Sequence, residues 1–240
     1  MKILRPIPAH DLELLIFDLD GTLVDSRLDL ANSVNAMLRH YGKPELPCDV
    51  IASYIGDGAP MLVRRALGDP DEEGFVTEAL NFFLAHYREH KLDNTYVYAG
   101  VAEALRRLRA HGNGAGGRFR MAVLSNKPER PSQQILEALG LADFFFRVYG
   151  GNSFHTKKPD PLGVRTLLEE SGARPEEAVI IGDSDIDVIT GRNAGIWTVG
   201  VTYGFVPHSL EAATPDVLVD SPVEWAELFQ LTTESQRHRG

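Results

Sequence analysis

Short, unbroken apolar runs punctuate the chain. Glu13-Leu14-Leu15-Ile16-Phe17-Asp18 stops at an acid and is followed by the breaker Gly21. Met121-Ala122-Val123-Leu124-Ser125-Asn126 and Ala178-Val179-Ile180-Ile181-Gly182-Asp183 have the same form. Thr198-Val199-Gly200-Val201 and Asp216-Val217-Leu218-Val219 are two more candidates. A run that is apolar throughout, rather than alternating, predicts a strand covered on both faces, as in a parallel sheet. Between the runs the period lengthens to that of a helix. Val101, Leu105 and Leu108 form one stripe, Ile135, Leu136 and Leu139 a second, and Val164, Leu167 and Leu168 a third. Strands alternating with helices predict a doubly wound α/β fold.

One region breaks the alternation. From about Ser26 to about Leu92 no strand pattern is present. Leu30, Val34, Leu38 and Tyr41 share one helical face; Met61, Leu62, Arg65 and Ala66 suggest a second helix; Val76, Leu80, Phe83, Leu84 and Tyr87 suggest a third. This predicts a helical insert placed straight after the first strand. The chain then divides into a discontinuous core, residues 1–24 and 93–240, and an insert, residues 25–92. The segment from His111 to Gly117 predicts a flexible turn before the second strand, and the polar tail after Leu231 predicts a frayed end.

Composition narrows the class. The chain has 240 residues, 43% of them hydrophobic, enough for a sizeable core. With 34 acidic against 24 basic residues the formal charge is −10, which argues against a nucleic-acid coat. It also poses a problem, because an acidic protein repels anionic ligands unless something local reverses the field. No apolar run approaches the ~18 residues that span a bilayer. The N-terminal stretch has acids and prolines where a signal peptide needs an unbroken apolar segment. A single cysteine, Cys48, forms neither an internal disulfide nor a zinc cluster. A reducing cytoplasm and no membrane partner are the expectation.

The acids at the strand ends carry the chemistry. In Asp18-Leu19-Asp20-Gly21-Thr22 two carboxylates at i and i+2 leave a strand on one side. Open α/β sheets bind ligands outside the carboxyl ends of their strands. The third run ends similarly, at Gly182-Asp183-Ser184-Asp185-Ile186-Asp187. If the two strands are neighbours, at least three carboxylates converge and raise one another's pKa. Mg2+ with oxygen ligands is the simplest compensating charge. Ser125-Asn126 and Lys158, in Lys158-Pro159-Asp160-Pro161, add a hydroxyl, backbone N–H groups and an ammonium. Those are the groups that a tetrahedral dianion needs around its oxygens.

These residues in this order resemble the haloacid-dehalogenase-like hydrolase superfamily. Its four motifs match Asp18-Leu19-Asp20-Gly21-Thr22, Ser125, Lys158-Pro159 and Gly182-Asp183-Ser184-x-x-Asp187. Asp18 to Asn35, Ile55-Gly56-Asp57-Gly58-Ala59 followed by Arg65-Ala66-Leu67, and Val199 to Gly204 resemble the phosphoglycolate phosphatases more narrowly. Three departures are Ala99-Gly100-Val101, where the family often has Pro-Gly-Val, Gly151-Asn152, where it often has Gly-Asp, and a glycine-rich turn at 112–117 that is longer than usual. The resemblance implies a Rossmann-like core with a mobile helical cap inserted after the first strand.

It also implies roles. Asp18 is the nucleophile and Asp20 the general acid and base. Asp18, the Asp20 carbonyl and Asp183 bind Mg2+, with Asp187 supporting them. Ser125, Lys158, Thr22 and Asn126 hold the phosphoryl group, and Arg65, or failing that Arg64, meets the substrate from the cap. An acid at position 20 favours phosphate-ester hydrolysis over dehalogenation. The expected reaction is 2-phosphoglycolate and water to glycolate and phosphate, on a monomer or homodimer acting on a small phosphorylated metabolite. The alternatives are a phosphatase for pyrophosphate, a nucleoside monophosphate or a sugar phosphate, a phosphomutase, or a non-catalytic phospho-acceptor domain.

Overall fold

Seven of the chain's strands join in one sheet: β1 (Lys2–Ile3), β2 (Leu14–Phe17), β5 (Arg120–Leu124), β6 (Arg147–Tyr149), β7 (Ala178–Gly182), β8 (Trp197–Val201) and β9 (Val217–Val219). Their order is β1-β9-β8-β7-β2-β5-β6. All neighbours run parallel except β1, which pairs antiparallel with β9. The computed structural model describes residues 1–111 and 119–230. The predicted turn at 111–117, beyond His111, and the polar tail lie outside the described residues.

The unbroken apolar runs are explained by two covered faces. Leu15 and Phe17 of β2 point into one core with Val123, Ile181 and Val199. That face is covered by α5 (Val101–His111), α6 (Glu129–Ala138) and α10 (Pro222–Gln230), which contribute Leu105, Ile135 and Trp225. Leu14 and Ile16 point the other way, into a core with Ala122, Ile180 and Val164 and Leu167 of α7 (Leu162–Ser171). Successive residues of a strand face opposite sides, so a doubly covered strand is apolar at every position. On this second side α8 (Asp185–Ala194) packs along β7 and β8, and Val188 meets Leu210 of α9 (Ser209–Ala213). The fold is thus the α/β architecture expected from the sequence.

Residues 27–90 form four helices, α1 (Arg27–His40), α2 (Cys48–Ala52), α3 (Ala59–Ala66) and α4 (Glu73–His90). They have their own apolar cluster, in which Leu30, Val34 and Leu38 meet Leu62, Phe83 and Tyr87. The chain enters and leaves this unit through a two-stranded antiparallel ribbon, β3 (Val24–Asp25) with β4 (Tyr96–Val97). Asp29, buried on α1, closes the crossing. It accepts hydrogen bonds from the Asn94 N–H (3.0 Å) and side-chain amide (2.8 Å), and from the Thr95 N–H (2.8 Å) and hydroxyl (2.7 Å).

Candidate active site

The centre of the sheet brings three strand ends together, since β2 lies between β5 and β7. Asp18 follows β2, Ser125-Asn126 follows β5, and Asp183 follows β7. The Asp18, Asp183 and Asp187 carboxylates are buried, each with an oxygen within 4.8 Å of the others. Lys158 joins them from the loop before α7. Its Nζ is 3.0 Å from Asp18 Oδ1 and 2.6 Å from Asp187 Oδ1. The second Asp187 oxygen accepts the Ser184 hydroxyl at 2.7 Å, and Asp187 stands in the first turn of α8. A carboxylate there satisfies otherwise unpaired helical N–H groups. Gly182 is required beside it, because any Cβ at that position would collide with the Asp187 side chain.

Asp183 is enclosed differently. It accepts the Phe205 N–H at 2.6 Å. Cβ atoms built on Gly21 or Gly204 would strike its side chain, and Gly21 also has a φ of +81°. The glycine after Asp20 therefore serves both the turn and the approach of β7's acid.

The electrostatics show a shortage of positive charge. Burial pushes Asp18 up to about 6; the Asp187 charge adds to this, while Lys158 and the Leu19 N–H oppose it. Burial, then Asp187 and Asp18, raise Asp183 well above the usual carboxylate range. For Lys158, burial works downward but Asp18 and Asp187 outweigh it, and the ammonium is held charged. Three buried carboxylates thus face one ammonium at this point. The excess of charge and the all-oxygen donor set fit a hard divalent cation.

Asp20 belongs to a second cluster. It accepts the Ser26 hydroxyl at 2.5 Å and the Lys127 ammonium at 2.9 Å. Lys127 is buried, with its Nζ 4.6 Å from the ring centre of Tyr87 on α4. The sequence reading missed Lys127. Its only signal was that it directly follows Ser125-Asn126, where the turn after β5 folds back towards the acids that follow β2.

Ser125 and Asn126 lie on the cavity wall. The Ser125 hydroxyl accepts the Lys127 N–H at 3.3 Å. The Asn126 side-chain amide donates to the Gly56 carbonyl at 2.9 Å and to the Lys158 carbonyl at 3.0 Å, joining the insert to the lysine loop. Thr22 is fully buried with its hydroxyl unpartnered, and it lies outside the cavity wall. Asn152, one of the departures from the family pattern, accepts the Glu129 N–H at 2.8 Å and so caps the start of α6.

A cavity of about 510 Å³ opens between these groups and the insert. Asp18, Asp20, Ser125, Lys127 and Asp183 line its polar side. Leu62, Phe83 and Leu84 line the insert side, and Phe205 and Val206 close another wall. Arg65 is not brought to this cavity. Its guanidinium donates to the Tyr54 carbonyl at 3.1 Å and to Asp57 at 2.5 Å, so α3 turns it along its own preceding loop. Arg64 pairs with Asp69 and Glu73. The arginines that do line the cavity are Arg88, on α4, and Arg130, on α6. Neither has an acidic partner among the described residues.

Comparison with known proteins gives the family. Residues 15–201 match the family model described as haloacid dehalogenase-like hydrolase. A phosphoglycolate phosphatase of Psychrobacter arcticus is 41% identical over 202 residues, 81% of this chain and 85% of that protein. One of Aquifex aeolicus is 35% identical over 218 residues, covering 91% and 97%. A crystal structure of a predicted phosphoglycolate phosphatase from Haemophilus somnus superposes with a TM-score of 0.83 at 31% identity, over 92% of this chain and 98% of that one.

Proposed function

The chain belongs to the haloacid dehalogenase-like hydrolases, and from that premise we propose that it is a Mg2+-dependent phosphatase whose first substrate is 2-phosphoglycolate. One observation carries the reading: the Asp18 and Asp183 carboxylates line the floor of a cavity, with Asp187 clustered beside them and the Lys158 ammonium held between Asp18 and Asp187. The names of the relatives supply the substrate.

In this reading Asp18 attacks phosphorus in line and carries the phosphoryl group as an aspartyl phosphate. Lys158, held between Asp18 and Asp187, meets the charge of the phosphoryl oxygens as the transition state forms. The Ser125 hydroxyl and the Asn126 N–H bind the same oxygens. Asp20 passes a proton to the leaving oxygen and later takes one from the attacking water. Lys127 and Ser26 hold its carboxylate in position for both steps. Asp187 acts through Lys158 and Ser184 rather than on substrate.

The Asp18 and Asp183 carboxylates and the Asp20 main-chain carbonyl are the oxygen donors assigned to Mg2+. When bound, the ion offsets the carboxylate charge and polarises a phosphoryl oxygen. Residues 25–92 are read as a cap on a core of 1–24 and 93–240, supported by their separate apolar cluster and the narrow crossing at β3 and β4. The carboxylate of the leaving group falls to Arg88 and Arg130 instead of Arg65, because they line the cavity without acidic partners. Thr22, buried behind the Asp20 turn, is given a supporting part there. The single cysteine supports a reducing, cytoplasmic setting, and gel filtration decides between monomer and homodimer.

The test is phosphate release from a panel of small phosphoesters, with 2-phosphoglycolate included. Release should need Mg2+ and stop with chelator, and Asp18→Asn should abolish it. Metal-independent turnover rejects the metal role. Turnover surviving in Asp18→Asn rejects the nucleophile.

A further inference from the structure

The cavity is larger and more apolar than 2-phosphoglycolate requires. At about 510 Å³ it falls within the range of ~300–1,000 Å³ that houses drug-sized ligands. A two-carbon leaving group occupies a fraction of that space. The insert touches the core beside this space. The loop before α3 rests on the core through two contacts, the Asn126 amide on the Gly56 carbonyl and the Lys157 ammonium on the Asp57 carbonyl. With that loop seated, apolar side chains still face the cavity from both sides: Ile55, Leu62, Phe83 and Leu84 from the insert, Phe205 and Val206 from the core.

An apolar wall contributes nothing to binding phosphate or carboxylate. It gains free energy only by losing contact with water against an apolar body. We propose that the site also takes phosphomonoesters whose leaving group carries an extended apolar body, an alkyl or aryl chain lying between α3, α4 and the Phe205-Val206 loop. The reaction is the one already described: water's oxygen ends on phosphate, and the leaving alkoxide receives the proton from Asp20. This inference rests on the phosphatase reading but not on 2-phosphoglycolate as substrate.

The probes are linear alkyl monophosphates from ethyl to octyl. Their affinity is measured by calorimetry on Mg2+-loaded Asp18→Asn protein, and their hydrolysis on the unmodified enzyme. Each methylene that leaves water for an apolar wall should tighten binding by up to about fourfold, so affinity should climb along the series and level off once the cavity is filled. Hydrolysis of the longer esters should accompany it. Leu84→Trp, which fills the space from α4, should cut the octyl-to-ethyl affinity ratio at least tenfold. Affinity independent of chain length overturns the inference and leaves the phosphatase reading standing. A folded Leu84→Trp protein with an unchanged ratio overturns the assignment to this cavity. If affinity climbs but no ester is hydrolysed, 2-phosphoglycolate included, the phosphatase reading falls, and the claim that these esters are substrates falls with it.

Discussion

The Lys127 ammonium lies 2.9 Å from the Asp20 carboxylate, and both are nearly out of water. Burial alone would lower the Lys127 pKa, but Asp20 and then Tyr87 outweigh it, so the net direction is upward and the ammonium stays charged. Removing one member of a buried pair leaves the other uncompensated, at a cost of about 3–5 kcal/mol. Lys127→Met should therefore destabilise the protein by about that amount, as read by urea unfolding. It should also lower turnover by ~10²-fold or more, because Asp20 loses the contact that orients it for proton transfer. Wild-type turnover in a folded Lys127→Met protein would show that the ion pair is structural only.

Alongside Asp183, Asp18 contributes to the pH dependence of the metal-free protein. Unfolded, it titrates near 3.8; folded, burial pushes it up to about 6. The fold thus binds this proton more tightly than the unfolded chain does. Its contribution to stability is fullest below pH 3.8 and is lost as pH rises through about 6. The gap corresponds to about 3 kcal/mol at most. In chelator, Asp18→Asn should be more stable than the unmodified protein at pH 7, and that advantage should shrink towards pH 4. Saturating Mg2+ should reduce it. Denaturation curves at the two pH values check this, and a pH-independent difference would reject it.

How much of this was legible from residues alone follows from what each signal encodes. A doubly covered strand must be apolar throughout, so β2, β5 and β7 could be read directly, and with them the acids at their ends. Edge strands carry a weaker pattern. In β6, Arg147-Val148-Tyr149 has no fully buried residue, and β1 is wholly exposed, so neither stood out. The β3–β4 ribbon is two residues long on each side and was also missed. Lys127 and Arg65 mark the limit within the site. Their roles depend on where a long side chain points, and position in a motif does not fix that direction.

Gly204 tests whether the approach of Asp183 matters. A Cβ there would collide with Asp183 and with the Gly21 carbonyl. Gly204→Ala should leave the sheet folded but displace the Asp183 carboxylate. Groups that orient a ligand typically affect metal affinity by ~10–100-fold. Calorimetric titration with Mg2+ should show a loss in that range, with a smaller change in unfolding midpoint. Unaltered affinity would mean that the close approach of Gly204 does not position Asp183 for the metal.

Asp29 ties α1 to the chain where it crosses back from insert to core. Its carboxylate collects two N–H groups, an amide and a hydroxyl from Asn94 and Thr95. Asp29→Ala strands the two buried Thr95 donors, each at about 1–3 kcal/mol if water does not reach it, while the exposed Asn94 can turn to water. Partial hydration of the gap brings the expected loss to about 3 kcal/mol in total. Hydrogen exchange should accelerate first at residues 94–97, ahead of the central strands. Uniform acceleration across the sheet would argue against a local role.

Arg88 and Arg130 are the last test, because they decide how an acidic protein accepts an acidic leaving group. The two approach the cavity from different units, α4 and α6. Arg65, in contrast, is committed to Asp57 and the Tyr54 carbonyl. A hydrogen bond to a charged group contributes about 1.5–3 kcal/mol, and exposure keeps these arginines near the lower end. Arg88→Ala and Arg130→Ala should therefore each raise KM for 2-phosphoglycolate by about tenfold. Ethyl phosphate has no carboxylate, so its KM should move less than twofold. Arg65→Ala should affect both esters alike, through the loop that it anchors. If instead Arg65→Ala alone discriminates between the two esters, the carboxylate is bound by α3 after a rearrangement of that loop, and the assignment to Arg88 and Arg130 fails.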